Sequence, residues 1–126
     1  MTSDPRVSVV SAGGCRLRTA TWGSGPVEIV LLHDGLGSIS QWRETPADIA
    51  GAAGVAVMVY ERAGHGASTP VPHGPWPTDW LHREADAFGD LLREAEIDEP
   101  LLVGHSDGGT IALLHAAGGG ACRGVV

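Results

Sequence analysis

Apolar and polar positions along this chain fall into short segments whose period switches between that of a strand and that of a helix. Residues 6–11 are extended and run into a turn at Ala12-Gly13-Gly14; residues 16–22 then alternate polar and apolar up to Gly23-Ser24-Gly25-Pro26. That pattern predicts a hairpin at the start of a sheet. Residues 27–32 and 55–60 are almost wholly apolar, as strands covered on both faces are. Residues 40–53 between them predict a helix carrying Trp42, Ile49 and Ala50 inward, with Pro46 interrupting it or starting a second turn. Residues 69–77 hold four prolines and predict no regular structure. Leu81, Ala85, Phe88, Leu91, Leu92 and Ala95 then recur three or four apart, with Arg83, Glu84, Asp86, Asp90, Arg93 and Glu94 elsewhere, and Thr78 or Asp79 stands where a helix cap belongs. Residues 101–105 predict a strand, 110–117 a helix closed by Gly118-Gly119-Gly120, and 123–126 a strand beginning.

Strands and helices alternating this regularly predict an α/β fold. The sheet is expected to be mostly parallel, with an N-terminal hairpin and its loops gathered along one edge. The 126 residues suit one domain with one modest core. Charge narrows the partners: eight basic against fifteen acidic side chains give −7, with no basic cluster longer than two residues. Nucleic acid and anionic membrane are therefore not expected partners. No apolar run reaches the length that spans a bilayer, and residues 1–6 lack the pattern of a secretory signal. Cys15 and Cys122 are far apart and lack metal-ligand spacing, so free thiols and a cytoplasmic setting are the expectation.

The chemistry concentrates at Gly104-His105-Ser106-Asp107-Gly108-Gly109. Glycines flank one serine between an apolar strand and an apolar helix. In a chain with 19 glycines the bare Gly-x-Ser-x-Gly pattern arises by chance roughly one time in six, so its context carries the weight. A strand-to-helix turn of this kind lifts the serine oxygen clear of the sheet in a strained backbone position at a helix N-terminus. The bland reading is a glycine-rich loop joining strand to helix.

Three loops at strand ends, taken together, resemble one family. His33-Asp34-Gly35-Leu36-Gly37, Glu61-Arg62-Ala63-Gly64-His65-Gly66-Ala67-Ser68 and the Ser106 turn occur in the order and spacing of α/β-hydrolases. All 126 residues fit the N-terminal half of such an enzyme, up to about the sixth strand, so residues 1–126 are expected to be a partial α/β-hydrolase domain. The resemblance implies that Ser106 is the catalytic nucleophile and that the backbone N–H of Asp107 is one oxyanion donor. The second donor is Leu36 or Gly35, because this chain has one residue more than the usual His-Gly-x-Gly. It implies further that His33 organises this loop, and that Arg62 pairs with a carboxylate in a structural motif. The Asp34 carboxylate would oppose an oxyanion unless it points away or binds a substrate donor; hydrogen bonding to its own backbone is the plain alternative.

A serine of this kind needs a histidine base and a carboxylate, which in this family follow it along the chain. After Ser106 the only carboxylate is Asp107 and the only histidine is His115, roughly 13 Å away along a helix. His105 adjoins Ser106 and is expected on the opposite face of the strand. His65 could lie near the strand ends, a weak substitute base. His73 and His82 are expected in solvent. The family therefore implies a serine hydrolase acting on a small-molecule ester, lactone or carbon–carbon bond, here an incomplete domain without its acid and base. A second chain or a missing C-terminal half is expected to cover the exposed sheet edge. The competing reading is a non-catalytic α/β-hydrolase-like fragment or binding module. Haloalkane dehalogenases of the same fold place aspartate where Ser106 stands, which disfavours that class. Gly23-Ser24-Gly25 precedes a strand rather than a helix, so it is no phosphate loop, and no cofactor or metal is implied.

Overall fold

The computed structural model describes residues 4–35, 37–68 and 78–126. Leu36, the proline-rich segment 69–77 and His73 lie outside the described residues.

Strands β1 (Arg6–Ala12) and β2 (Cys15–Trp22) form the expected antiparallel hairpin. The two turn residues, Gly13 and Gly14, have φ of 59° and 76°, the left-handed pair that a two-residue hairpin turn demands. β2 pairs antiparallel with β4 (Ala56–Tyr60), and β4 pairs parallel with β3 (Val27–Leu32). On the other side of β3 lie β5 (Leu101–Gly104) and the short β6 (Gly124–Val125), both parallel. The order across the sheet is thus β1-β2-β4-β3-β5-β6. The chain leaves β3 to one side for β4 and returns to the other side for β5. That reversal opens a crevice beyond the carboxyl ends of β3 and β5, where α/β sheets bind ligands.

The period-two alternation sorts side chains onto two faces. Val30, Leu32, Met58, Tyr60 and Leu102 meet Phe88, Leu91 and Leu92 of helix α2 (Trp80–Glu94), together with Ile111 and Ala112 of α3 (Asp107–Ala117). Ala20, Trp22, Leu31, Val57 and Val59 pack instead with Ile39 and with Ala50 of α1 (Thr45–Ala53). The buried face of α2 is the one its periodicity predicts.

Two helix boundaries differ from expectation. The single helix expected over residues 40–53 divides into a 3-10 turn, Ile39–Trp42, and α1, with Arg43 between them at φ 53°. Pro46 opens α1, where its missing N–H costs nothing. α3 begins at Asp107, not at Thr110, and so takes in Gly108 and Gly109, the first of which lies where any side chain would meet the end of β3. Asp79 does occupy the N-cap position of α2, but it makes no cap hydrogen bond; its carboxylate pairs with Arg83. Cys15 and Cys122 are free thiols. Among the described residues no helix is long and apolar enough to cross a membrane.

Candidate active site at the ends of strands 3 and 5

Ser106 joins β5 to α3 with φ 56° and ψ −118°, a conformation that costs a non-glycine residue on the order of 1–3 kcal/mol. Its surroundings hold it there. A Cβ on Gly108 would stand 2.2 Å from the Leu32 carbonyl oxygen and 2.6 Å from that of His33. One on Gly104 would stand 2.5 Å from the backbone of Gly109. All these neighbours are backbone, so only glycine lets the first turn of α3 rest on the end of β3. The His105 N–H completes the join by donating to the Leu32 carbonyl at 3.0 Å. Ser106 is left exposed at the N-terminus of an eleven-residue helix, where unpaired N–H groups favour negative charge.

Across the crevice, the loop after β3 is held from beneath. His33 is almost fully buried, and its Nε2 accepts the Arg62 N–H at 3.0 Å. The ring proton therefore sits on Nδ1, which donates to the Asp34 carbonyl at 2.6 Å. Burial first, and the Arg62 charge second, bring the His33 pKa down from 6.5 to about 4, so the ring is neutral near pH 7. Arg62, 1% exposed, donates Nη1 to the His33 carbonyl at 2.5 Å and Nη2 to the Asp34 carbonyl at 3.2 Å. The described hydrogen bonds of the Arg62 side chain thus go to two carbonyls, while the carboxyl that feels its charge is that of Glu84.

The carboxylate pairing belongs to its neighbour. Glu61 accepts from Arg18 at 2.9 and 3.1 Å, and from the N–H groups of Ile39 and Ala67, each at 2.9 Å. Burial alone would raise the Glu61 pKa, but these donors outweigh it and hold the carboxyl below its ordinary value. Glu84 of α2 was not expected near the site. Burial pushes its pKa up, against the pull of the Arg62 and His65 charges. A signal existed in the sequence: Glu84 stands three residues after Leu81 and four before Phe88, the spacing of the buried stripe.

Gly35 comes directly against the elbow, since a Cβ there would lie 2.7 Å from Asp107 Oδ2. The two loops expected to supply oxyanion donors are therefore in contact through Gly35 and Asp107, while Leu36 lies outside the described residues. The Asp34 carboxylate faces sideways, with Oδ2 3.4 Å from His105 Nδ1. Both line a cleft of about 140 Å³ together with His33, Gly37, Gln41 and Trp42.

The other described histidines are occupied or remote. His65 places Nε2 2.9 Å from the Gly35 carbonyl and Nδ1 3.1 Å from that of Ala63. His115 is buried at the far end of α3, its Nε2 3.1 Å from the Ala121 carbonyl and its ring edge-on to Phe88. His82 is exposed, as expected. None of the described hydrogen bonds joins a histidine to Ser106. Among the described residues no cluster of His, Cys, Asp and Glu is arranged to hold a metal ion.

A parallel sheet with a hairpin at one edge, presenting a serine on a strained strand-to-helix turn at its switch point, is the architecture of an α/β-hydrolase. The model of the alpha/beta hydrolase family matches residues 29–126, and the chain belongs to that family. No curated protein sequence matches the chain significantly. Among solved structures it is similar to epoxide hydrolase A of Mycobacterium thermoresistibile, at TM-score 0.81 and 23% identity, covering 96% of this chain and 38% of that one. It is similar also to potato (Solanum tuberosum) epoxide hydrolase I, at TM-score 0.83 and 19% identity with the same coverage. An epoxide hydrolase of Vigna radiata follows at 0.76 and 17%, covering 93% of this chain and 35% of that one. The chain thus spans little more than a third of the length of these neighbours, and the likeness is one of fold.

Proposed function

We propose that this chain is the nucleophile-bearing part of a serine hydrolase that acts on a small molecule through an ester, lactone or carbon–carbon bond. Ser106 attacks the carbonyl carbon, and the N–H groups of Asp107 and of Leu36 or Gly35 receive the charge that forms on its oxygen. His33 keeps the second loop in shape. The general base and its orienting carboxylate come from sequence that these residues do not include. The observation that carries the reading is the backbone of Ser106, strained and exposed at a helix N-terminus, with glycines on both sides where any side chain would collide. The likeness to enzymes named for epoxides adds an epoxide to the small molecules to assay.

A second reading, a non-catalytic module of the same fold, is favoured by one observation: the described histidines near the turn are bound to carbonyls or to Asp34, not to Ser106. Labelling by a fluorophosphonate separates the two. With imidazole supplied in place of the base that these residues do not include, the hydrolase reading expects one covalent adduct on Ser106 of the folded protein, absent from Ser106→Ala. Folded protein that takes up no label contradicts it and supports the non-catalytic module.

A further inference from the structure

Three successive carbonyls of the loop after β3 all have side-chain nitrogens against them. Arg62 Nη1 holds that of His33, while His33 Nδ1 and Arg62 Nη2 hold that of Asp34. His65 Nε2 meets that of Gly35. A trans peptide is planar, with its N–H directed opposite to its C=O. Gripping the carbonyls of His33 and Asp34 therefore turns the N–H groups of Asp34 and Gly35 away from the grip. Gripping that of Gly35 holds the loop at the point where it meets Asp107.

The geometry points to His65 as a positioning residue for the oxyanion loop: it orients the Gly35 peptide beside Asp107 rather than taking a proton from Ser106. This rests on the hydrolase reading for its consequence, but not for its geometry. Neither neighbour can do the same task. His33 has both ring nitrogens engaged, and the described bonds of Arg62 end on His33 and Asp34. His65 is itself held, its ring centroid 4.8 Å from that of His33. Both ring nitrogens of His65 face carbonyl oxygens, Nε2 that of Gly35 at 2.9 Å and Nδ1 that of Ala63 at 3.1 Å, and donation into the Gly35 carbonyl also polarises the amide behind it.

The test compares His65→Ala with His65→Gln, whose side-chain amide can still donate to Gly35. Two readouts are taken on the full chain. The first is the second-order rate of fluorophosphonate addition to Ser106, followed by intact mass. His65→Ala is expected to slow it by about tenfold, less than the 100-fold or more that follows outright loss of an oxyanion donor. His65→Gln is expected within about threefold of the parent. The second is amide hydrogen exchange across residues 34–37, expected to quicken in His65→Ala and to stay unchanged in His65→Gln, with exchange in β4 and α2 unaltered in both. Parent-like labelling and exchange in His65→Ala overturn the inference, and so does a glutamine variant as impaired as alanine. If the parent itself takes no label, the hydrolase reading fails, and the exchange comparison still decides whether His65 holds the loop.

Discussion

Replacing Gly108 by alanine adds one methyl group at the point where the first turn of α3 rests on β3. That carbon would lie 2.2 Å from the Leu32 carbonyl oxygen and 2.6 Å from both the Leu32 carbonyl carbon and the His33 oxygen. Ordinary contact begins near 3.4 Å, so more than an ångström of movement is required. What must move is backbone on both sides: the end of a central strand, or the start of a helix whose Ile111 and Ala112 are fully buried. Overpacking of a close-packed interior typically costs 1–3 kcal/mol, and backbone neighbours put this site at the upper end, about 3 kcal/mol. Gly51 is the matched control. It lies within α1 with nothing within 4 Å of an added Cβ, so Gly51→Ala should stabilise by about 0.5–1 kcal/mol. Urea unfolding followed by circular dichroism measures both, the midpoints being comparable where the slopes agree. A Gly108→Ala protein as stable as the parent would refute the close approach of the elbow to β3. Equal losses at both positions would show that glycine-to-alanine changes act here through something other than that contact.

Other expectations follow from the buried polar groups. Because the His33 pKa drops from 6.5 to about 4 on folding, the unfolded chain binds more protons in between. Its contribution is complete above pH 6.5 and is lost as pH falls toward 4, by up to about 1.4 kcal/mol per unit. Urea midpoints between pH 7 and 4.5 should show a shallower slope in His33→Gln, and an unchanged slope would remove His33 from the account. Glu84 acts with the opposite sign: its carboxyl is raised on folding, so its ionised form disfavours the fold and Glu84→Gln should flatten that opposing trend. Glu61→Gln leaves one oxygen for donors from Arg18, Ile39 and Ala67, and stranding one of them should cost about 1–3 kcal/mol in the same assay. A loss below a few tenths of that would mean that water replaces the carboxylate freely.

The alternation of residues 16–22, the apolar runs at 27–32 and 55–60 and the stripe of α2 made the sheet and its main helix legible, because burial on a face imposes a period on the sequence. The position of Ser106 was legible for a different reason. Only glycine fits where two backbones meet, and Gly104 and Gly108 record that meeting in the sequence. Polar partnerships left no such record. Arg62 was expected on a carboxylate; its charge does act on Glu84, but its hydrogen bonds serve two carbonyls of a loop nearly thirty residues away, while the adjacent Glu61 reaches Arg18 in the hairpin. Such choices depend on which side chain turns inward at the end of β4, and residue type alone does not set that. The split of residues 40–53 was half legible: Pro46 marked a helix start, but nothing in Arg43 announced its positive φ. Glu84 was hidden by its own charge, which reads as a solvated face until Arg62 and His65 are known to lie near it.

The central claim, that Ser106 faces a cradle of N–H groups assembled from two loops, is tested most directly by a crystal structure of the protein after fluorophosphonate treatment. The account predicts phosphorus bonded to Ser106 Oγ, with its free oxygen about 2.7–3.1 Å from the N–H of Asp107 and from that of Gly35 or Leu36. An adduct whose oxygen points into solvent, with no backbone N–H within reach, would contradict it.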